Sequence, residues 1–467
     1  MTTQSNPMVE TPVNTMLLRM AAPISLGMLS TFLFQIVDSY FVGMLGSNEL
    51  AALAFSSSAF FLFASLFMGF SVGVSAVIAK AVGAHEREKA VTLTMVSLAL
   101  VALVSISLSF AGRQFIDPTF SILGASVEVL PLLNAYMGTL YLGLPLLMLG
   151  IVGSGAARAI GITKQTEVIF AIAGVINLVF DYLLIFGIGP FPELGLAGAA
   201  WATVLSFAFI FLGMMVILAR HGLISIGKLH GALDGLAEIM RFSVSTIFMQ
   251  LLVPTTGMFT TFLLAGYGSE AVAAFGIVGR IESLALIGIF AVSMAVTPFI
   301  AQNFGAEEHE RIDQAIIFAG KAAFYLGILL FGTLALLGPT IATIFSDDPA
   351  VIEFVSVYFK IVAVSYSFQG LVAVTVAIFN GLQMPRVALK IMLIRTFALV
   401  FPLLFIGSTL GLWWILAGLA AGNIFAAIYA AHLMRQSERT WNRPTANAKP
   451  WLEMRQDLRK LLAFAKG

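Results

Sequence analysis

The chain has 467 residues, of which 59% are hydrophobic and only 10% charged, with a mean hydropathy of +0.98 and a formal net charge of +1. Soluble globular chains carry about 25% charged residues, so this composition excludes a soluble protein, and a charge this close to zero argues against a nucleic-acid partner. The absence of cysteine excludes disulfides, iron–sulfur clusters and thiol nucleophiles.

The first 16 residues are polar and lack a basic leader. The apolar stretch behind them is long enough to span a bilayer, so a cleaved signal peptide is not expected. Apolar runs predict helices over 17–42, 50–79, 90–112, 131–157, 166–188 and 195–219, then over 238–265, 271–301, 312–337, 352–379, 387–408 and 411–434. The breaks carry turn residues and charges, as in "GSNE", "GAHEREK", "DPTF", "GPFPELG", "GAEEHER", "SDDP" and "LQMPR". The expected fold is therefore an all-α polytopic membrane protein with 12 transmembrane helices.

Lysine and arginine orient it. Alternate loops and the C-terminal tail hold 20 of the 25 basic residues, whereas the opposite loops hold one, Arg113. The positive-inside bias then places both termini in the cytoplasm, with the chain integral to the cell (inner) membrane. The other four, Arg280, Lys321, Lys360 and Arg395, lie inside predicted helices; snorkelling or bridging to another helix is the ordinary reading for the last three, whereas Arg280 lies too deep in helix 8 to snorkel easily.

The chain is also duplicated. Arg19–Lys89 lies without gaps on Arg241–Arg311, with 15 of 71 positions identical, including "GSNELAA" against "GSEAVAA". An even number of helices per repeat gives both halves one orientation, related by an axis along the membrane normal, with a central cavity between two six-helix bundles. This divides the chain into an N-terminal lobe at 1–225, a C-terminal lobe at 226–436 and a basic cytoplasmic tail at 437–467, with 221–236 as the link. The repeat does not carry its charges across: Asp38 pairs with Thr260, while Ser58 and Phe60 pair with Arg280 and Glu282.

Three acids fall inside predicted helices: Asp38 in the first, Asp181 in the fifth and Glu282 in the eighth. Asp38 and Asp181 both sit one to two turns from the outer end. Asn177, four residues before Asp181, shares its helix face. Helices 4 and 6 run inward, which brings Tyr136 and Thr203 to the same depth. A charged Asp in a span costs about 2.5–3.5 kcal/mol on insertion scales, and a second carboxyl close by adds repulsion, so at least one of the pair is expected to keep a proton near neutral pH. A group that loads and surrenders a proton is what ion coupling needs; helix cross-linking is the structural alternative. In the second half, Arg280, Glu282 and Gln250 form a possible polar site, again with a structural bridge as the alternative for Glu282. Pro23 breaks the backbone ladder of helix 1 and permits a bend. Gly150, Gly153, Ser154 and Gly155 permit close helix contact in helix 4.

No G-x-x-x-x-G-K-[ST] or H-E-x-x-H motif occurs, and nothing resembles a catalytic set. No cofactor, metal or enzymatic activity is expected, and the energy source is an ion gradient. Forty phenylalanines and 20 methionines suit loose recognition of amphipathic molecules.

The duplicated layout, "VDSYFVGMLGSNELAA" around Asp38, "GVINLVFDYLLIFG" around Asn177 and Asp181, and "LGLAGAAWATVLS" with Thr203 together resemble the MATE (multidrug and toxic compound extrusion) transporters of the DinF-like branch, over about residues 14 to 436. The resemblance implies two six-helix bundles forming a V. It also implies export of amphipathic, mostly cationic compounds in exchange for protons or sodium ions, by a chain that works as a monomer. It assigns ion coupling to Asp38, Asn177, Asp181, Tyr136 and Thr203, and helix bending to Pro23. Two positions depart from the pattern. Ser154 stands where the branch can carry Asn. Gln250 stands near the helix 7 acid of the sodium-coupled branch, whose helix 10 acid has no counterpart here. Protons are thus the expected coupling ion and sodium the alternative. A lipid-linked-sugar flippase, using Arg280, Lys360 and Arg395 against pyrophosphate, is the alternative function.

Overall fold

The computed structural model describes residues 6–225 and 231–440, and among these every regular element is helical. Twelve helices are long and apolar enough to cross a membrane. Spans 1–6 are Val13–Gly43, Ser47–Gly83, Arg87–Gln114, Leu130–Ala159, Lys164–Phe186 and Leu196–Arg220. Spans 7–12 are Ala232–Ala265, Ile287–Gly305, His309–Phe345, Pro349–Gly381, Pro385–Leu410 and Leu412–Ser437. Each predicted helix is present and the protein is an integral membrane protein. Most of the basic tail, from residue 441, and residues 226–230 of the link lie outside the described residues.

The duplication has a second level in the turns. His85, Gly161, Glu307 and Gln383 all adopt a left-handed conformation, with φ of 60°, 83°, 61° and 63°. His85 and Gly161 are 76 residues apart, as are Glu307 and Gln383, and 222 residues separate the two pairs. Each closes the same pair of bonds: Glu86 N–H to Ala81 O at 2.8 Å and His85 N–H to Val82 O at 3.1 Å, and likewise Met384 to Phe379 and Gln383 to Asn380. This Schellman arrangement satisfies carbonyls that the helix end would otherwise leave unpaired. The turns between spans 2–3, 4–5, 8–9 and 10–11 are therefore closed in the same way.

By contact, the chain divides into two compact units: Pro23–Gln250, and the residues up to Ala22 together with those from Leu251 onward. The division falls inside spans 1 and 7, not at the link between 225 and 226 expected from the duplication. Side-chain bonding accounts for the difference. The residues ahead of span 1 are tied into the second unit, where Asn303 Nδ2 and Arg311 Nη2 each donate to the carbonyl of Met8 at 3.1 Å. The start of span 7 is tied into the first, where Lys89 pairs with Glu238 at 3.0 Å and the backbone at Ile247 lies against Gly69. Each unit thus takes the opening turns of the other repeat's first helix.

In the first unit span 4 packs against spans 2 and 6. Gly155 makes the first of these contacts possible: a Cβ there would lie 2.7 Å from the Ser71 carbonyl oxygen. Ser71 Oγ then donates to Ile151 O at 2.9 Å, a bond available only because the two backbones approach so closely. The second unit is less regular. The helix Ser269–Ala285 breaks from span 8 at Leu286, where one unbroken helix over 271–301 is expected from hydropathy. Span 10 tightens into a 3-10 turn at Ala363–Ser365, and span 11 widens into a π segment at Ile394–Val400. Pro402 accounts for the last: its ring crowds the carbonyl four residues back and it offers no N–H, so the ladder loosens ahead of it.

Gly155→Ala is expected to cost about 1–3 kcal/mol of stability by overpacking, read as a lower melting temperature of the purified protein. Gly138→Ala, in the same helix but with nothing within 4 Å of its added Cβ, is the matched control and should melt no lower than the parent.

Candidate functional site

Five side chains from four spans of the first unit meet at one level. Asp38 comes from the last turns of span 1, Asn177 and Asp181 from span 5, Tyr136 from the start of span 4 and Thr203 from the start of span 6. Aromatic rings join spans 1 and 5 just beyond the acids: Phe41 lies 6.0 Å from Tyr182 and 6.1 Å from Phe186, centroid to centroid. Phe34, one turn the other way, seats against Gly174.

Hydrogen bonding within the cluster is directed away from the acids. Thr203 Oγ1 donates to the carbonyl of Ala199 at 2.9 Å, which leaves it only accepting capacity. Asn177 Nδ2 donates to Thr203 Oγ1 at 3.3 Å, and the Tyr136 hydroxyl pairs with the same atom. The Asp38 and Asp181 carboxyls face each other within hydrogen-bonding reach, with Tyr136 beside both. Asp181 is fully buried, and both its oxygens, with Asp38 Oδ1, have no donor in the protein. Two acceptors in contact inside an apolar unit repel unless a proton or a cation lies between them. The arrangement can therefore bind and release one small positive charge.

Pro23 lies inside span 1 and is the first residue of this unit. Gln250 belongs to the first unit, whereas Arg280 and Glu282 belong to the second. Arg280, with its side chain exposed, has no ion pair among the described residues. Glu282 is instead held by two phenols, accepting from Tyr358 at 3.0 Å and from Tyr366 at 2.7 Å on one oxygen.

One further buried charge pair escapes a reading of hydropathy. Arg158 and Glu167 pair at 3.3 Å with side chains 14% and 8% exposed, and Glu167 seats against span 1 at Gly27. Each stands at a helix end next to a loop, where charges are normally solvated. Gly27, one turn beyond Pro23, is the only sequence signal for a close approach there.

Comparison with known proteins agrees with this architecture. A MatE family profile matches residues 23–183 and 245–406, one segment in each repeat. The "FAD transporter" of Shewanella oneidensis is 33% identical over 436 residues, covering 92% of this chain and 96% of its own. The "Multidrug export protein MepA" of Staphylococcus aureus is 25% identical over 437 residues, covering 91% and 95%. An aspartate-to-asparagine variant of the Vibrio cholerae MATE transporter VcmN has a crystal structure that superposes with a TM-score of 0.88 at 26% identity, over 92% of this chain and 98% of that one. The duplicated helices, the extent of the profile match and near full-length relatives of one kind lead to a single assignment: this chain belongs to the MATE (MatE) family of membrane transporters.

Proposed function

We propose that the protein is a secondary antiporter of the DinF-like branch that exports amphipathic, mostly cationic small molecules in exchange for protons carried by the Asp38–Asp181 pair. The observation that carries this reading is the approach of a half-buried carboxyl, Asp38, to a fully buried one, Asp181, while the polar groups beside them bond to Thr203 instead. One proton satisfies that pair, whereas sodium needs several more oxygens, and Asn177, Tyr136 and Thr203 are the groups that would have to turn to supply them. The relative named a multidrug export protein supports a broad cargo. The placement of 20 basic residues on one side supports an inner-membrane protein with both termini in the cytoplasm. It acts as a monomer and needs no cofactor.

Coupling follows from electrostatics. With the proton in place the carboxyls attract and spans 1 and 5 stay together at that level. Without it, two like charges in a poorly screened environment push the helices apart. Pro23 lies 15 residues from Asp38, about 22 Å at ~1.5 Å per residue, so it acts through helix shape and not by contact. Its broken ladder makes that segment easy to bend. One observation favours a second cargo: the 33% identical relative is named an FAD transporter, so a flavin dinucleotide is the alternative to a cationic drug.

Asp38→Asn is expected to abolish efflux of a cationic dye from proteoliposomes driven by a pH gradient, with and without sodium, while expression and melting temperature hold. Efflux at the parent rate from the folded variant would remove Asp38 from coupling, and dependence on sodium alone would replace the proton. FAD loaded in parallel vesicles decides between the two cargoes.

A proton shared between the two acids should give one carboxyl infrared band at neutral pH that Asp38→Asn and Asp181→Asn each eliminate. Loss from only one variant would mean that a single acid holds it alone.

Pro23→Ala should slow efflux several-fold with little change in dye affinity, both measured on one preparation. Equal losses in the two would assign the proline a static packing role.

A further inference from the structure

The second unit holds a cation that the proton site does not use. Arg395 lies 10 residues from one end of span 11 and 15 from the other, about 15 and 22 Å at ~1.5 Å per residue. Either distance exceeds what an arginine side chain spans, so the charge cannot snorkel to an interface. Among the described residues no carboxylate pairs with it. Its partner is a neutral amide: Nε and Nη2 both donate to Asn423 Oδ1, at 3.3 and 2.9 Å.

That amide is itself held. Asn423 is 2% exposed, and its Nδ2 donates to Ser365 Oγ at 3.2 Å, which donates in turn to Val362 O at 2.8 Å. The chain of bonds fixes which way the amide faces and keeps its oxygen on the guanidinium. Glu282 is kept out of competition, because Tyr358 and Tyr366 satisfy it. Arg395 also stands in the π segment Ile394–Val400, a widened turn of the kind often found at functional sites.

A guanidinium has five N–H donors and Asn423 takes two, leaving three on the half-buried edge. Hydrocarbon cannot satisfy them, since an unpaired charged donor in lipid costs several kcal/mol. That edge therefore meets water or a ligand. A planar fork of oriented donors without a counter-ion suits a phosphate or carboxylate, which accepts two parallel bonds.

We propose that Arg395, oriented by Asn423 and Ser365, is an anion-binding site that anchors a phosphate or carboxylate group of the transported molecule. It rests on the reading of the chain as an exporter, and adds an acidic group to the amphipathic cargo.

Riboflavin and its 5′-phosphate, which differ by one phosphate, test the site through quenching of flavin fluorescence on the purified full-length protein. The parent should bind the phosphorylated flavin at least 10-fold more tightly, as a charge-assisted pair implies. Arg395→Gln should erase that preference, Arg395→Lys should keep part of it, and Asn423→Ala should reduce it. The site is overturned if the parent binds neither flavin, binds both alike, or keeps its preference in Arg395→Gln, and also if that variant weakens both flavins equally, which a packing role would produce. Dye efflux under a pH gradient by the same preparations separates the two readings. Loss of efflux in the parent sinks the exporter and leaves the flavin comparison standing, whereas intact efflux without a phosphate preference sinks the anion site alone.

Discussion

Two facing carboxyl groups, one fully buried and one half-buried in a mostly apolar helical unit, with three of their four oxygens given no hydrogen by the protein, are the constraint around which the first half of this protein is arranged. Holding Asp38 and Asp181 together requires spans 1 and 5 to approach, and the rings of Phe41, Tyr182 and Phe186 with the seat of Phe34 on Gly174 supply apolar contact to offset the repulsion. Thr203 has the complementary task. By giving its own hydrogen to a backbone carbonyl it becomes an acceptor for Asn177 and Tyr136, so the donors that would pin the acids are engaged elsewhere. A fully hydrogen-bonded carboxylate pair would be stable and inert. This pair is not fully hydrogen-bonded, which is what the proposed proton site requires.

The same scaffold is used twice with opposite chemistry. Four helix pairs close on one turn, down to the left-handed residue and its two bonds, yet the position of Asp38 is taken in the second repeat by Thr260, which is buried and donates to its own helix at Thr256 O. Duplication preserved the backbone solution to spanning a bilayer, in which every N–H and C=O must find an internal partner. It left side chains free to diverge wherever that ladder was not at stake. One half carries two acids at one level. The other gathered Glu282, Arg395, two tyrosines and an asparagine around a broken helix, a 3-10 turn and a π segment.

Those irregularities lie where the polar groups are. Ser365, in the 3-10 turn, bonds to Asn423, and its neighbour Tyr366 bonds to Glu282, so one tightened turn serves both charges. Glu282 stands four residues ahead of the break at Leu286, and Arg395 is the second residue of the widened segment of span 11. Polar side chains inside a membrane protein are tolerated when each has an internal partner. Meeting that demand for two opposite charges that do not pair with each other takes local departures from a straight helix.

Much of this was legible in the order of residues. Hydropathy located twelve apolar helical segments, although it ran the eighth across a break at Leu286, the gapless repeat at an offset of 222 announced the duplication, and counting turns from each helix end brought Asp38, Asp181, Asn177, Tyr136 and Thr203 to one depth. Depth is readable because position along a helix is linear in sequence. Which neighbour a side chain meets is not. Only tertiary structure showed that the hydrogens of Asn177 and Tyr136 go to Thr203, that Glu282 answers to tyrosines 76 and 84 residues away and not to nearby Arg280, and that Asn423 holds Arg395. It also moved the boundary between units into spans 1 and 7 and buried Arg158 with Glu167, charges that a helix end would ordinarily leave in water. Sequence determined the helices and their depths, because burying an apolar span is a local transaction between a segment and the bilayer. Tertiary structure decided the partners, because rotation about each helix axis is set by contacts with spans far away in the chain.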